Sequence, residues 1–378
     1  MKHKKLIVGI TAEGSVSLLE GQLAYFKSLG YETYLLAPFS ERSEAFCIKE
    51  NCKHLVIDID REINPIKDFK TLLSIIKIFK EVKPDIINLG TPKVSLLGMI
   101  AGFYVGVKQR IYTCRGFRFE NETGIKRLIL VSMEKVTAFF AHKIICISPS
   151  LKKYAVDKGI FNKEKTLVIN KGSSNGLDLA KFSVDKIDLI KQNEFINQHE
   201  LHNKFIFGFV GRLVKDKGLF DLLNVFDKLY SDNKDARLLI LGSDITSNET
   251  EKSVVKKYKD HPAIFFLNFQ TDVSFYMSMF DVMVLPSHRE GFGNVYIQAA
   301  SMGVPCIGYD ITGVKDAVSQ NFSGLLVQPK SESHLYDALK TLYLEKDLTK
   351  RLGDNGLIWA QNFDRQIIWQ ELHNIYQS

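Results

Sequence analysis

The chain alternates short apolar segments with longer helical segments along nearly its whole length. The apolar segments have the length and branching of buried strands, and strands that alternate with helices predict βαβ units with parallel sheets. The candidate strands are Leu6–Ile10, Thr33–Ala37, Leu55–Ile57, Ile86–Leu89, Arg110–Thr113, Ile144–Ile147, Leu167–Ile169, Phe205–Val210, Arg237–Leu241, Ile264–Leu267, Val282–Leu285, Pro305–Gly308 and Leu325–Val327. The predicted fold class is therefore α/β, with doubly wound parallel sheets.

The chain length and one polar segment predict two domains. The chain has 378 residues, of which 45% are hydrophobic, and at about 150 residues per domain this is sufficient for two cores. Residues 176–203 are rich in Lys, Asn, Asp and Gln, a composition typical of a linker. We predict one Rossmann-like domain over residues 1–175 and a second over residues 204–362.

A glycine-containing turn separates the candidate strand Val282–Leu285 from a helical segment, Asn294–Met302. Gly291 and Gly293 permit a tight turn, so Glu290 follows the carboxyl end of a strand. Ligands of open α/β sheets bind at that edge, and the N–H groups at the start of a helix favour an anion. A sugar nucleotide meets both requirements.

A second loop brings two cations to the end of a strand. The candidate strand Phe205–Val210 runs into Gly211-Arg212, and Lys217-Gly218 follows just before a helical pattern. Arg can bind two phosphate oxygens at once, and Lys supplies a compact positive charge. The loop predicts a site that neutralises a departing diphosphate. Taken alone, the pattern is equally typical of two solvated loop cations.

Basic residues concentrate in the first part of the chain. Residues 1–172 hold 28 Lys and Arg against 17 Asp and Glu, a net charge of +11, whereas the remainder carries −4. This excess indicates an anionic partner. The sequence shows neither zinc-finger spacing nor an RNA-binding signature, so nucleic acid is disfavoured. Segment Ile66–Lys83 predicts an amphipathic helix, which suits either packing on a sheet or contact with an anionic membrane.

Neither a membrane span nor a secretion signal is expected. The longest uncharged apolar stretch, Val94–Val107, is shorter than the roughly 20 residues that cross a bilayer, and we interpret it as a buried helix. The first apolar run, Leu6–Ile10, is too short for the core of a signal peptide. We therefore expect a cytoplasmic protein.

Together the motifs resemble those of the family-4 retaining glycosyltransferases of GT-B fold, over nearly the whole chain. The matching segments are Gly211–Gly218, Asp281–Asn294, Cys146–Ser150, Val168–Asp178 and Asn321–Val327. Two further segments, Arg115–Glu120 and Lys171–Gly176, are similar to bacterial enzymes that build capsule, O-antigen or related surface polysaccharide.

The resemblance implies GT-B architecture, with two Rossmann-like domains and an interdomain cleft. It implies that residues 204–362 hold a nucleotide-sugar donor, by family habit a UDP-sugar, and that a C-terminal helix, 363–378, rejoins the first domain. The first domain would bind a glycan or polyprenyl-diphosphate-linked acceptor, with peripheral association at the inner face of the membrane. Neither a metal nor another cofactor is expected.

The resemblance also assigns roles to individual residues. Arg212 and Lys217 match ligands of the donor diphosphate, and Glu290 matches the carboxylate that holds sugar hydroxyls, so these three are the predicted catalytic residues. Gly14 matches a loop that approaches the diphosphate, where a side chain would collide. Segment Leu267–Val273 resembles a loop near the nucleobase. The other predicted donor-binding residues are Gly211, Gly291, Phe292, Gly293, Asn294 and Gln298.

Two positions depart from the family pattern. Gln298 stands where the family usually has a second Glu, which accepts hydrogen bonds from ribose, so the charge is lost while one acceptor oxygen remains. Arg115 stands where many relatives have a His, and Arg cannot act as a general base. We place Arg115 with Arg118 and Lys126 as candidates for contact with the acceptor diphosphate. A solvated basic surface is the alternative.

Other features carry weaker predictions. Asp58 and Asp60 form a D-x-D motif, which holds the metal ion of the nucleotide in metal-dependent glycosyltransferases of another fold. Because two carboxylates at this spacing are common in proteins, we predict no metal site here. His288 precedes Glu290 by two residues and could contact a ligand, but loop histidines more commonly face solvent, and we expect that here. The alternatives to a transferase are a nucleotide-sugar epimerase of the same fold, or a non-catalytic binding subunit to which Gln298 and Arg115 would point.

Overall fold

The computed structural model describes residues 3–60, 62–243 and 248–378, which group into two compact units. The first unit comprises the chain up to Gly176 together with Gln366–Ser378, and the second comprises Leu177–Arg365. Among the described helices, none combines the length and apolarity needed to cross a bilayer.

The first unit is a parallel sheet covered by helices. Its strands and helices are β1 (Lys5–Gly9), α1 (Gln22–Ser28), β2 (Glu32–Ala37), α2 (Glu41–Glu50), β3 (Lys53–Val56), α3 (Pro65–Val82), β4 (Ile86–Leu89), α4 (Pro92–Val105), β5 (Gln109–Cys114), α5 (Gly124–Phe140), β6 (Lys143–Cys146), α6 (Pro149–Asp157) and β7 (Thr166–Leu167). The strand order is β3-β2-β1-β4-β5-β6-β7, with every pair parallel. The order reverses between β1 and β4.

The second unit repeats this architecture. Its elements are α7 (Leu189–Gln198), β8 (Phe205–Val210), α8 (Leu219–Asp232), β9 (Ala236–Leu241), α9 (Glu249–Tyr258), β10 (Ile264–Phe266), α10 (Val273–Met277), β11 (Val282–Leu285), α11 (Asn294–Ser301), β12 (Cys306–Tyr309), α12 (Val314–Ala317), β13 (Gly324–Val327), α13 (Glu332–Leu344) and α14 (Lys346–Ala360). The strand order is β10-β9-β8-β11-β12-β13, again all parallel. The order reverses between β8 and β11. The α/β fold class with two doubly wound sheets is confirmed.

The chain ends in helix α15 (Arg365–Gln377), most of which packs on the first unit. Trp369 Nε1 donates to Asn175 Oδ1 at 2.7 Å, and Asn88 Nδ2 donates to the Tyr376 hydroxyl at 2.7 Å. Tyr376 is fully buried. The apolar face of the helix thereby completes the core of the first unit.

Most of the segment that we predict as a linker, 176–203, belongs to the second unit. It contains α7, whose Phe195 packs edge-on against Tyr276 with ring centroids 5.5 Å apart. The Phe182 carbonyl accepts a hydrogen bond from the Ser301 hydroxyl at 2.5 Å. The polar composition of the segment reflects its solvent-facing side, while a few apolar residues attach it to the domain.

Helix α3 shows how the charged helices of the first unit are oriented. Pro65 occupies the first turn and the Asn64 side chain accepts from the Lys67 N–H at 3.1 Å, which fixes the start of the helix. Thr71, Ile75 and Phe79 are buried at a spacing of four residues. This face packs inward, so the packing alternative for Ile66–Lys83 describes part of the helix correctly.

Candidate functional site

Two loops of the second unit leave its sheet where the strand order reverses. Strands β8 and β11 are neighbours although they are distant in sequence, with Val282 paired to Phe207. The loop after β8 carries Arg212 and Lys217, and the loop after β11 carries Glu290. Reversal points of this kind are where open α/β sheets bind ligands. The three residues predicted to be catalytic therefore lie at one edge of one sheet.

Lys217 and Glu290 form an ion pair across this reversal point. Lys217 Nζ donates to Glu290 Oε1, and the Ser287 hydroxyl donates to the same oxygen at 3.2 Å. The Lys217 and Glu290 side chains are only 19% and 13% exposed. Removing either partner would leave the other charge desolvated and unpaired. An incoming anion can replace Glu290 as the partner of Lys217 and leave the carboxylate to accept hydrogen bonds from hydroxyl groups.

Gly218 brings the two loops into direct contact. Its φ is 71°, in the left-handed region, and a Cβ there would lie 1.8 Å from the Pro286 carbonyl oxygen. Only glycine accommodates both the backbone angle and the contact. The neighbouring N–H of His288 donates to the Asp216 carbonyl at 2.9 Å. These backbone contacts set the spacing of the ion pair.

Arg212 follows β8 closely, and its side chain is exposed. It lines a cavity of about 230 Å³, with Gly211, Phe269 and Gln270 among the other lining residues. Phe269 belongs to segment 267–273, which the family resemblance places near the nucleobase, and its side chain is 65% exposed. An exposed aromatic ring can stack on a base, and a guanidinium can bind phosphate. The cavity therefore brings a guanidinium and an exposed aromatic ring together.

A network that we did not predict from the sequence supports the loop after β11. Asp221, in the first turn of α8, pairs with His288 Nε2 at 3.0 Å and accepts from the Tyr309 hydroxyl at 2.7 Å. Burial favours the neutral carboxyl, but the two hydrogen bonds, together with the electrostatic effects of His288 and Lys215, outweigh burial and lower the pKa of Asp221. The expectation that His288 faces solvent is wrong, because its side chain is only 15% exposed. The sequence feature that could have indicated this network is an acidic residue, Asp221, in the first turn of the helix that follows Gly218.

Replacing Asp221 with alanine should lower the free energy of unfolding by about 1–3 kcal/mol at neutral pH, because the buried Tyr309 hydroxyl and the largely buried His288 ring lose their acceptor. The pKa of Asp221 lies below its ordinary value of 3.8 in the folded state, so its stabilisation is present above that value and is lost as the pH falls through the folded pKa. The difference from the parent should therefore shrink in acid. Chemical denaturation at several pH values measures it, with exposed Asp232→Ala as the control; equal effects of the two variants would contradict this role.

Helix α11 begins immediately after the predicted sugar-binding turn. Gly293, with φ 88°, precedes its first residue, Asn294. Phe292 is buried against Phe363, with ring centroids 5.3 Å apart, and anchors the turn. Gln298 is partly exposed one turn into the helix. The amino end of the helix dipole lies at the same edge of the sheet as Glu290, which favours an anionic ligand there.

The candidate residues of the first unit lie after its own strands. Gly14 is in the short 3-10 helix after β1, where an added Cβ would meet no atom of the described residues within 4 Å. Arg115 follows β5 and donates to the Gly90 carbonyl and to the Ser174 hydroxyl, both at 2.7 Å. Burial lowers the pKa of Arg115 to about 10, so its guanidinium stays charged at neutral pH. Arg115 ties the loop after β4 to the turn at Ser174.

Arg118 and Lys126 lie on the surface of the first unit. Arg118 Nη2 is 3.9 Å from Glu62 Oε1, and its side chain is 43% exposed. Lys126 Nζ is 2.7 Å from Glu122 Oε1. Exposed ion pairs of this kind contribute little to stability, so both cations can change partners at low cost. A role in acceptor binding stays a prediction.

Across residues 3–60, 62–243 and 248–378, no group of three or more His, Cys, Asp or Glu side chains is arranged to hold a metal ion. Of the two D-x-D carboxylates, Asp60 pairs with Lys67 at 2.8 Å.

Both units match models of glycosyltransferase families. Residues 10–148 match the model described as glycosyl transferase 4-like, and residues 191–359 match glycosyl transferases group 1. The chain is 34% identical to the capsular polysaccharide biosynthesis glycosyltransferase CapM of Staphylococcus aureus, over all of this chain and 98% of that protein.

Two further comparisons agree. The chain is 28% identical to the Escherichia coli UDP-Gal:alpha-D-GlcNAc-diphosphoundecaprenol alpha-1,3-galactosyltransferase, over 74% of this chain and 71% of that protein. Among solved structures, Anabaena HepE in complex with UDP matches with a TM-score of 0.82 and 18% identity, over 99% of each chain. At that identity the match establishes a shared fold.

Proposed function

This chain belongs to the glycosyltransferases and has the GT-B fold, and on that premise we propose the reaction that it catalyses. It transfers a hexosyl group from a UDP-sugar to a glycan or polyprenyl-diphosphate-linked acceptor, with retention of anomeric configuration as expected of family 4. The product belongs to bacterial surface polysaccharide. The observation that carries the proposal is the Lys217–Glu290 pair at the reversal point of the second sheet.

Arg212, Lys217 and Glu290 have different roles in the proposed reaction. As the bond between the anomeric carbon and the diphosphate oxygen breaks, negative charge grows on the diphosphate, and Arg212 and Lys217 stabilise it. Glu290 accepts hydrogen bonds from hydroxyls of the sugar, whose anomeric carbon becomes oxocarbenium-like. The acceptor hydroxyl attacks from the face that the diphosphate leaves, and its proton passes to the departing phosphate oxygen. Lys217 thus exchanges Glu290 for phosphate when the donor binds.

The donor nucleotide is proposed to be uridine diphosphate. The HepE structure is described as a complex with UDP, and the name of the E. coli relative includes UDP-Gal as donor. In this chain the cavity beside Arg212 offers the exposed ring of Phe269 to a base and a guanidinium to phosphate. Gly14 and the turn Gly291–Asn294 would lie close to the donor, as the family resemblance implies.

The acceptor is proposed to be linked to a polyprenyl diphosphate at the inner face of the cell membrane. The name of the E. coli relative includes a diphosphoundecaprenol acceptor. The net charge of +11 over residues 1–172 and the exposed cations Arg118 and Lys126 suit an anionic group. Arg115, already bonded to Gly90 and Ser174, would position the loops around the acceptor. The protein would then be cytoplasmic and peripherally bound to the membrane.

Incubation of the purified chain with UDP-sugars and a polyprenyl-diphosphate-linked sugar tests the proposal. Stabilisation in a thermal-shift screen selects the donor, because a ligand bound to the folded state raises its stability. We expect release of UDP, a product with the donor's anomeric configuration by NMR, and undiminished turnover in EDTA. Detection of an epimerised donor would show that the chain is an epimerase and not a transferase. If neither UDP nor an epimerised donor forms, the chain is a binding subunit.

Replacing Gln298 with glutamate should strengthen donor binding. A hydrogen bond from a ribose hydroxyl to a charged acceptor contributes about 1–2 kcal/mol more to the free energy of binding than one to a neutral acceptor. This difference corresponds to a roughly 5- to 30-fold lower Kd for UDP. Isothermal titration with UDP measures the change, and Gln198→Glu, on the exposed end of α7, controls for the added negative charge. An unchanged Kd for the Gln298 variant would remove this residue from the ribose site.

A further inference from the structure

We propose that the outward face of α5 docks the first unit onto an anionic lipid bilayer. This inference rests on the proposed membrane-linked acceptor and specifies the surface that reaches the lipid. The outward face carries five exposed apolar side chains, here named the α5 stripe: Ile125, Leu128, Ile129, Val136 and Phe139. Ile125, Leu128 and Phe139 are 77%, 67% and 74% exposed. Such a row of exposed apolar groups on a helix calls for a covering partner.

The side chains of the α5 stripe lie on one face of the helix, together with exposed Ser132. At about 100° per residue, its five side chains fall within an arc of about 100°. The buried residues Leu130, Glu134, Thr137 and Ala138 occupy the opposite side and hold α5 on the sheet. The stripe runs from Ile125 to Phe139, so at 1.5 Å per residue it extends along about 21 Å of surface. A helix whose core-facing side is already buried therefore presents a second apolar side to its surroundings.

The charges of α5 favour an anionic lipid surface. Lys126 and Lys135 lie about 70–110° to either side of the centre of the stripe, where a lysine can extend its ammonium to lipid phosphates while its methylene chain covers apolar groups. The acid of the helix, Glu134, faces inward and accepts from the Tyr112 hydroxyl at 2.7 Å. The exposed side of α5 thus combines apolar groups with two lysines and the neutral Ser132, and its nearest acid is Glu122, which precedes the helix and pairs with Lys126. An apolar face flanked by lysines is typical of an interfacial helix on anionic lipid.

Aromatic residues extend the same patch onto α4. Phe139 packs against Phe140 with ring centroids 5.1 Å apart, and Phe140 packs against Phe103 at 5.0 Å. Phe103 and Tyr104 are 57% and 67% exposed, and Lys80 Nζ lies 5.3 Å from the centre of the Tyr104 ring. Aromatic rings with a neighbouring lysine are typical of the boundary between lipid headgroups and acyl chains. The patch is thus wider than a single helix.

Vesicle co-sedimentation of the full chain tests the inference. The parent should bind vesicles of phosphatidylglycerol and phosphatidylcholine much more tightly than vesicles of phosphatidylcholine alone, with binding weakened by salt. The double variant Leu128→Ser/Phe139→Ser should lower the partition coefficient by at least about tenfold, because membrane binding scales with buried apolar area. Lys135→Glu should lower it several-fold. The matched control is Ile48→Ser/Ile190→Ser, which removes two comparably exposed apolar groups, 77% and 74%, from α2 and α7.

The inference and the proposed function can fail separately. Transfer to a detergent-solubilised acceptor should be unchanged in the Leu128/Phe139 variant, so loss of vesicle binding with normal transfer supports both. Equal binding of the parent to both vesicle types, or equal loss in the control, would overturn the docking surface and leave the transferase standing. A stripe variant that keeps vesicle binding but separates a dimer into monomers would assign the face to a second copy instead. Vesicle binding without any sugar transfer would reject the proposed function alone.

Discussion

Replacing Arg212 with alanine should lower kcat by about 100- to 1,000-fold, the loss found when one preorganised donor to a developing negative charge is removed. The guanidinium stabilises the departing diphosphate more in the transition state than in the bound donor, so kcat should fall more than the affinity for UDP. The side chain is exposed, and the free energy of unfolding should change by less than about 0.5 kcal/mol. Steady-state kinetics and chemical denaturation measure both quantities.

Arg237→Ala is the matched control for this variant. Arg237 lies near the amino end of β9 and donates to the Lys234 and Ala236 carbonyls at 2.9 Å, so it belongs to the opposite edge of the same sheet. Loss of this arginine removes one positive charge from the second unit without touching the proposed site, and kcat should stay close to that of the parent. A folded Arg212→Ala enzyme with nearly normal turnover would show that Arg212 does not stabilise the departing diphosphate.

Replacing Gly218 with alanine should damage both stability and catalysis. A Cβ at this position meets the Pro286 carbonyl oxygen at 1.8 Å and requires a left-handed backbone, φ 71°. Backbone strain and overpacking together should lower the free energy of unfolding by about 2–5 kcal/mol. Separation of the two loops displaces Lys217 from Glu290, and a shift of about 1 Å at a reacting centre can lower kcat/KM by about 100-fold.

Gly303→Ala separates backbone strain from the loop contact. Gly303 has φ 73°, but an added Cβ would have its nearest contact at 3.8 Å, on Leu357, an ordinary distance. This variant should lose about 1–2 kcal/mol of stability for the left-handed backbone alone and keep normal kcat/KM. If Gly218→Ala behaves like Gly303→Ala in both measurements, the packing of the two loops does not set the position of the ion pair.

The fold follows from the sequence because its signals are local. Strands Ile86–Leu89, Phe205–Val210 and Val282–Leu285 have the predicted bounds, since a fully buried parallel strand requires an apolar run of limited length. Turn glycines such as Gly303 then end the helices at defined positions. Alternation of the two elements leaves few topologies, because parallel crossovers are right-handed.

Contacts between distant segments could not be predicted in the same way. Lys217 can pair with Glu290 only because β8 and β11 are neighbouring strands. The family resemblance implied this strand order, whereas the alternation of strands and helices along the sequence did not. His288 was expected in solvent because its partner, Asp221, lies far away in the sequence. The sequence did not predict the α5 stripe, because apolar residues at helical spacing are usually interpreted as facing the core. Only the structure shows that another face of α5 is buried and that the stripe is exposed.

The central claim is that a nucleotide diphosphate binds at the edge of the second sheet where β8 and β11 separate. A crystal structure of the chain with a bound UDP-sugar tests this most directly. We expect diphosphate oxygens within hydrogen-bonding distance of both Arg212 and Lys217, sugar hydroxyls on Glu290, and the Lys217–Glu290 contact replaced by contacts to the ligand. A donor bound at another place, with the Lys217–Glu290 pair intact, would contradict the account.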